Sequence, residues 1–269
     1  MARVLELITR RPPGRARPTP LLFVHGAWHG AWCWEQFMPF FVDLGYPCHA
    51  LSLRGHGASE GRAGIRWHAL ADYVADLATS IAALPESPVI IAHSMGAFVV
   101  QRYLERHRAP AVILLTPMPV TGTATWLVRQ IIRHPGAALR SILTLNSQYI
   151  VGAPLTLAHE SFFSADLPVA DLARHAARLQ PESFRVALES FLPQRLHSQP
   201  GMPVLVLAAA EDRVFTRAEV TATARAWNAE LAVLPGLAHD MMLDTRWEHA
   251  AVHVAHWLAR TVNPELAQV

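Results

Sequence analysis

Short apolar runs punctuate the chain at residues 21–24, 89–92, 112–115 and 203–209, and the segments between them carry apolar residues at helical spacing. Runs of this length without alternation predict strands buried on both faces. With shorter candidates at 4–8, 47–53 and 231–234, and helical patterns at 35–44, 67–84, 95–107 and 245–260, strand and helix take turns along most of the sequence. That order predicts an α/β protein: a mostly parallel sheet flanked by helices.

The alternation stops at Pro117 and resumes near Gly201. Between them lies helical periodicity broken by prolines at 119, 135, 154, 168, 181 and 193, which predicts helices at 123–133, 135–145, 155–163, 169–179 and 181–196. Residues 118–200 therefore read as a helical cap inserted into a core made of 1–117 and 201–269. Trp126, Leu127, Ile131, Phe162, Phe163, Phe184 and Phe191 form its apolar stripes, individually packing residues and jointly the lining of a lid.

Composition narrows the chemistry. At 269 residues with 52% hydrophobic and 16% charged residues, the chain suits one large globular unit with a substantial core. Every one of the 23 cationic residues is Arg, so Schiff-base chemistry and a lysine phosphate cradle are excluded. Arg10, Arg11, Arg15 and Arg17 cluster within a proline-rich stretch and read as a solvated loop, and the net charge of +2 gives no reason to expect a nucleic-acid partner. Residues 1–10 hold no uninterrupted apolar signal region, no run reaches membrane-spanning length, and two cysteines, Cys33 and Cys48, read as reduced thiols. The expectation is a cytoplasmic enzyme with a small-molecule substrate, with homodimerisation left open.

The most informative stretch is Pro88 to Val100. An apolar strand breaks at Ala92-His93-Ser94-Met95-Gly96 and resumes as a helical pattern. A strand turning straight into a helix thrusts the corner side chain above the sheet edge, beside the unpaired N–H groups of a helix start. Ser94 is thus a candidate nucleophile; the plainer alternative is a serine N-cap. Residues 25–34 form the second such stretch, with Gly26 and Gly30 leaving backbone N–H groups free to face a ligand and Trp28, Trp32 and Trp34 as apolar walls. Asp212 and His239 each follow a predicted strand, at the edge where a parallel sheet gathers its active site. Glu211 is a competing acid, Asp240 and Asp244 stand too close to His239 in sequence, and His56 reads as a loop organiser. His249, His253 and His256 share a helix face, but no ligand set is completed around them, so no metal is expected.

The order serine, acid, histidine, together with His25-Gly26, Arg54-Gly55-His56-Gly57-Ala58-Ser59, the Ser94 corner and Gly236-Leu237-Ala238-His239, resembles the α/β-hydrolase superfamily along essentially the whole core. The loop His25-Gly26-Ala27-Trp28-His29-Gly30-Ala31-Trp32 resembles the plant methylesterase and hydroxynitrile lyase branch, and the inserted region resembles bacterial carboxylesterase-like and lysophospholipase-like members. The resemblance implies an α/β-hydrolase fold, a serine carboxylesterase with Ser94, Asp212 and His239 as catalytic triad, and an oxyanion hole from the N–H groups of Ala27 and Met95. Asp212 is preferred over Glu211 because the family's acid commonly precedes such an arginine directly. Gly26, Trp28, His93, Trp126 and Phe162 are the expected substrate contacts, and no cofactor is implied. Alternatives are a lyase or carbon–carbon bond hydrolase, and a small-molecule receptor. The lyase branch has threonine where this chain has Gly26 and lysine where it has Asp240. Epoxide hydrolases and dehalogenases place a carboxylate at the position of Ser94.

Overall fold

A computed structural model describes residues 3–151, 155–193 and 201–262. Seven strands, β1 (Leu7–Arg10), β2 (Leu21–Val24), β3 (Cys48–Leu51), β4 (Val89–His93), β5 (Val112–Leu115), β6 (Val204–Ala209) and β7 (Glu230–Leu234), form one sheet in the order β1-β3-β2-β4-β5-β6-β7. Only β1 runs antiparallel to its neighbour. Every residue of β2 to β6 is buried, whereas the edge strand β7 buries only Leu234. The continuous apolar runs are thus the strands covered on both faces.

Helices α1 (Phe37–Asp43), α2 (Leu70–Ala82), α3 (Met95–Tyr103), α9 (Arg217–Ala226) and α10 (Trp247–Thr261) flank the sheet, and α4 (Ala124–Arg133), α5 (Pro135–Thr144), α6 (Leu155–Phe162), α7 (Val169–Ala176) and α8 (Phe184–Glu189) make up a helical region inserted between β5 and β6. Under the sheet, Phe23, Trp34, Phe37 and Phe41 pack ring against ring at 5.1 to 6.0 Å.

Four expectations shift. The first strand begins at Leu7, because the backbone of Val4 and Glu6 bonds to Ser52, Ser59 and Glu60 of the following loop. A 3-10 turn, Ala31–Trp34, precedes a shorter α1. The predicted helix 181–196 is described only as α8, opened by the Ser183 hydroxyl accepting from the Val186 N–H, because residues 180–182 run against the core; Pro154 and residues 194–196 lie outside the described residues. Finally, α9 lies in a stretch for which no helix is expected above, although its capping box, Thr216 with Glu219, is written in the sequence.

Candidate active site

Three strands end where the site begins. Strand β4 runs one residue beyond its last pair with β2, Val24↔Ala92, to the pair His93↔Leu115, and the next residue, Ser94, turns the chain into α3 with φ 48°. Positive φ costs a non-glycine residue about 1–3 kcal/mol, so the corner must be held. Its N–H donates to the Leu115 carbonyl at 3.1 Å and its carbonyl accepts from the Met118 N–H at 3.1 Å. Gly96 permits the turn, since a Cβ there would lie 2.7 Å from the Val24 carbonyl oxygen. Gly26 is equally constrained: a Cβ would lie 2.5 Å from His93 Nδ1 and 3.1 Å from Ser94 Cβ.

The loops after β6 and β7 bring two partners to this corner. His239 Nε2 stands 2.9 Å from Ser94 Oγ and His239 Nδ1 3.0 Å from Asp212 Oδ2. The other Asp212 oxygen accepts from the N–H groups of Val214 and Phe215 at 2.7 and 3.0 Å, which fixes the carboxylate. An acid facing Nδ1 makes that nitrogen the donor, leaving the Nε2 lone pair toward the serine hydroxyl. The His239 carbonyl accepts from Thr116 Oγ1 at 2.9 Å and His93 Nε2 at 3.1 Å, while Phe215 and Phe162 cover the ring at 5.4 and 6.1 Å. All three side chains are buried.

Behind them lies a second polar layer. The fully buried Asp240 carboxylate sits 3.0 Å from His29 Nε2 and 3.5 Å from His93 Nε2. The His29 contact is an ion pair by distance but lies off the hydrogen-bond line. Burial alone would lower the His29 pKa, yet Asp240 outweighs it and raises the value; His29 and His93 likewise outweigh burial at Asp240 and hold its carboxyl below the ordinary range. His93 goes the other way, burial pushing it well below 6.5. His29 Nδ1 meets the Ala27 carbonyl at 2.7 Å. Next to it, His25 is driven to about 3 by burial and by His56, and accepts from the Leu53 N–H at 3.0 Å.

Trp28, with φ 66°, follows Ala27. Its strained backbone is held from the inserted region: the Gln180 N–H donates to the Trp28 carbonyl at 2.8 Å, the Trp28 N–H reaches Glu182 Oε2 at 3.4 Å, and the indole N–H donates to Ser147 at 3.1 Å. Glu182 is buried, 3.1 Å from His56 Nε2 and 2.6 Å from the Tyr73 hydroxyl that donates to it. Burial would raise its pKa, but His56 and the hydrogen bonds lower it. Of the five non-glycine residues with positive φ among those described, Trp28, Ser94 and Thr116 all stand at this site.

A cavity of about 310 Å³ opens beside Ser94, with Ala27, Met95, Trp28, Trp126 and Phe184 in its wall. The Ala27 N–H has no hydrogen-bond partner among the described residues, and Met95, as the first residue of α3, has no carbonyl one turn before it. Of the expected substrate contacts, Trp28 and Trp126 line the cavity, whereas Gly26 and His93 lie behind Ser94 and Phe162 packs between the rings of Trp28 and His239. Glu211 is exposed, Asp244 bonds Ala238 and Ser164, and His56 organises its loop through Glu182. His249 and His256 are exposed on α10; among the described residues the one set of potential metal ligands within 4.8 Å is His93, His239 and Asp240, and both His239 ring nitrogens already face Ser94 and Asp212. Glu182, His29 and Thr116 escaped sequence reasoning, because each acts on the site across more than a hundred residues or through the backbone.

A serine, histidine and carboxylate in hydrogen-bond sequence at the C-terminal edge of a mostly parallel sheet define the α/β-hydrolase class of protein. Residues 21–252 match the family model described as the alpha/beta hydrolase family, and the chain belongs to that family. It is 27% identical over 245 residues to a non-heme haloperoxidase of Rhodococcus erythropolis, covering 82% of this chain and 86% of that protein. Methyl jasmonate esterase 1 of Vitis vinifera is 34% identical over 92 residues, which are 34% of this chain and 35% of the esterase. Among solved structures, a carboxylesterase of the thaumarchaeon Nitrososphaera gargenis shares the fold with a TM-score of 0.70 at 18% identity, over 97% of this chain and 96% of that one.

Proposed function

We propose that the protein is a serine carboxylesterase acting on a small to medium, largely apolar ester through an acyl-enzyme, without a cofactor. The observation that carries the reading is the chain of contacts from Ser94 Oγ through His239 to Asp212, opening on an apolar cavity. His239 Nε2 takes the hydroxyl proton as Ser94 Oγ attacks the ester carbonyl, and Asp212 stabilises the resulting imidazolium. The N–H groups of Ala27 and Met95 receive the oxyanion. His239 then gives the proton to the departing alcohol; a water, deprotonated by the same ring, attacks the acyl carbon, the bond to Ser94 Oγ breaks, and His239 returns the proton to that oxygen as the acid leaves.

In this reading residues 118–200 act as a cap over a core of 1–117 and 201–269, and Trp28, Trp126 and Phe184 bound the acyl pocket. Two buried, unpaired cysteines agree with action in the cytoplasm. The names of the Vitis esterase and the thaumarchaeal carboxylesterase support ester chemistry. Lyase chemistry is disfavoured, since a threonine at Gly26 would drive its Cβ into His93 and Ser94, and the residue after His239 is an anion rather than a lysine. Turnover of p-nitrophenyl acetate and butyrate, measured with the purified chain and with Ser94→Ala, tests the assignment: hydrolysis lost in the variant supports it, and hydrolysis retained at the parent rate refutes it.

A further inference from the structure

Helices α4 and α5 repeat one arrangement. In α4, Val128, Ile131 and Ile132 stand at i, i+3 and i+4; in α5, Leu139, Ile142 and Leu143 do the same. Spacing of this kind places each trio on one helix face, and a face so apolar is ordinarily turned inward. Here all six side chains point outward, between 40% and 76% exposed. The positions just before each trio, Leu127 and Ala138, face the cavity beside Ser94, and Ile142 belongs to both surfaces. The wall between that cavity and the outside is therefore one helix thick and apolar on both sides.

The charge carried by these two helices themselves has one sign, and the nearby carboxylates come from other elements. No Asp or Glu occurs between Glu105 and Glu160, a stretch that carries Arg129, Arg133 and Arg140. From other elements, Glu219 pairs with Arg129 at 3.0 Å and Glu160 stands 3.5 Å from His134. Arg133 has no carboxylate partner among the described residues, and the Arg140 guanidinium lies 4.1 Å over the Tyr149 ring. Apolar residues flanked by uncompensated arginines on an amphipathic helix are what an anionic lipid–water interface attracts. A second copy of the chain fits less well, because a twofold contact through this face would set the same arginines against each other.

We propose that the α4–α5 face docks peripherally on a phospholipid surface bearing anionic headgroups, which would set the thin apolar wall at Ile142 against the lipid and the Ser94 cavity just behind it. No helix among the described residues is long and apolar enough to span a membrane, so the attachment is to the surface. The inference concerns binding and stands apart from the ester reading.

Co-sedimentation with vesicles of phosphatidylcholine, with and without phosphatidylglycerol, tests it on the parent chain, Ile132→Ser/Leu143→Ser and Arg133→Gln/Arg140→Gln, with thermal melts confirming that each folds. The parent should pellet with the anionic vesicles and release with salt, the serine pair should bind at least about tenfold more weakly, and the glutamine pair should lose most of the preference for anionic lipid, about fivefold per arginine. A folded parent that pellets with neither vesicle, or variants that bind as the parent does, would overturn the proposal. So would a dimer in sedimentation velocity that the serine pair abolishes while vesicle binding is absent, which would assign the face to a second copy.

Discussion

The His29 imidazole joins two loops of the site: Nε2 lies 3.0 Å from the Asp240 carboxylate, next to His239, and Nδ1 lies 2.7 Å from the carbonyl of Ala27. Nδ1 makes a hydrogen bond to that carbonyl, and the Asp240 carboxylate beside Nε2 raises the His29 pKa against the effect of burial. The pair therefore fastens the Ala27 loop to the His239 loop from inside the protein.

Its pH dependence follows from the directions of the two shifts. Asp240 has a lowered pKa, so its contribution is present above the ordinary aspartate value of about 3.9 and is lost as pH falls through the folded value. His29 has a raised pKa, so its contribution is complete below about 6.5 and is lost as pH rises through the folded value. Stability against urea should accordingly be greatest at mildly acidic to neutral pH. Asp240→Asn leaves His29 without its counter-ion and should cost about 3–5 kcal/mol there, with a smaller loss at alkaline pH. Equal losses at mildly acidic and at alkaline pH in urea titrations would show that the pair is not ionised.

Gly26 offers a test of crowding. The added methyl of Gly26→Ala must enter space held by His93 Nδ1 and Ser94 Cβ, so the variant should lose at least about tenfold in kcat for small esters through displacement of the Ser94 corner. KM for a small ester should change little. Steady-state kinetics on p-nitrophenyl acetate would expose the opposite pattern, a KM effect with kcat intact, which places the crowding in the substrate pocket instead.

The acid can be assigned by a pair of substitutions. Asp212→Asn should lower kcat by about 10⁴-fold, as the equivalent change does in serine proteases, because the amide no longer enforces the Nδ1–H tautomer. Glu211→Gln, at an exposed side chain one residue away, should leave kcat within about twofold. The reverse ranking in initial-rate assays would move the acid to Glu211.

Much of this site is legible in the chain itself. Ser94 and Asp212 follow continuous apolar runs and His239 follows a shorter one, and parallel topology sends all three to one edge, where their side chains meet. The buried strands β2, β4, β5 and β6 read correctly for the same reason. Edges read less well: β1 starts three residues late because side chains of a distant loop capture the backbone of Val4 and Glu6. Partners set by tertiary contact were not legible at all. Nothing near Glu182 in sequence points to His56 or Tyr73, and the outward face of Ile131 contradicts the inward one its helical spacing suggests. Likewise Gly26, His93 and Phe162 stand beside the site but not in the cavity wall, a distinction that periodicity does not carry.

The cavity predicts a chain-length optimum. Each buried methylene contributes about 0.8 kcal/mol until the space is full, after which overpacking reverses the gain. Across p-nitrophenyl acetate to dodecanoate, kcat/KM should therefore rise and then fall. Trp126→Ala, which enlarges the cavity, should move the maximum to longer chains, whereas Phe162→Ala, at a residue outside the wall, should lower activity without moving it. A flat series for the parent would contradict an apolar acyl pocket.

Covalent trapping tests the proposed role of Ser94 Oγ as nucleophile most directly. Incubation with a fluorophosphonate, followed by intact mass and peptide mapping, should give one adduct on Ser94, none in Ser94→Ala, and slower labelling in His239→Gln. Stoichiometric labelling of the Ser94→Ala variant, or an adduct mapped to another serine in the parent, would contradict the account.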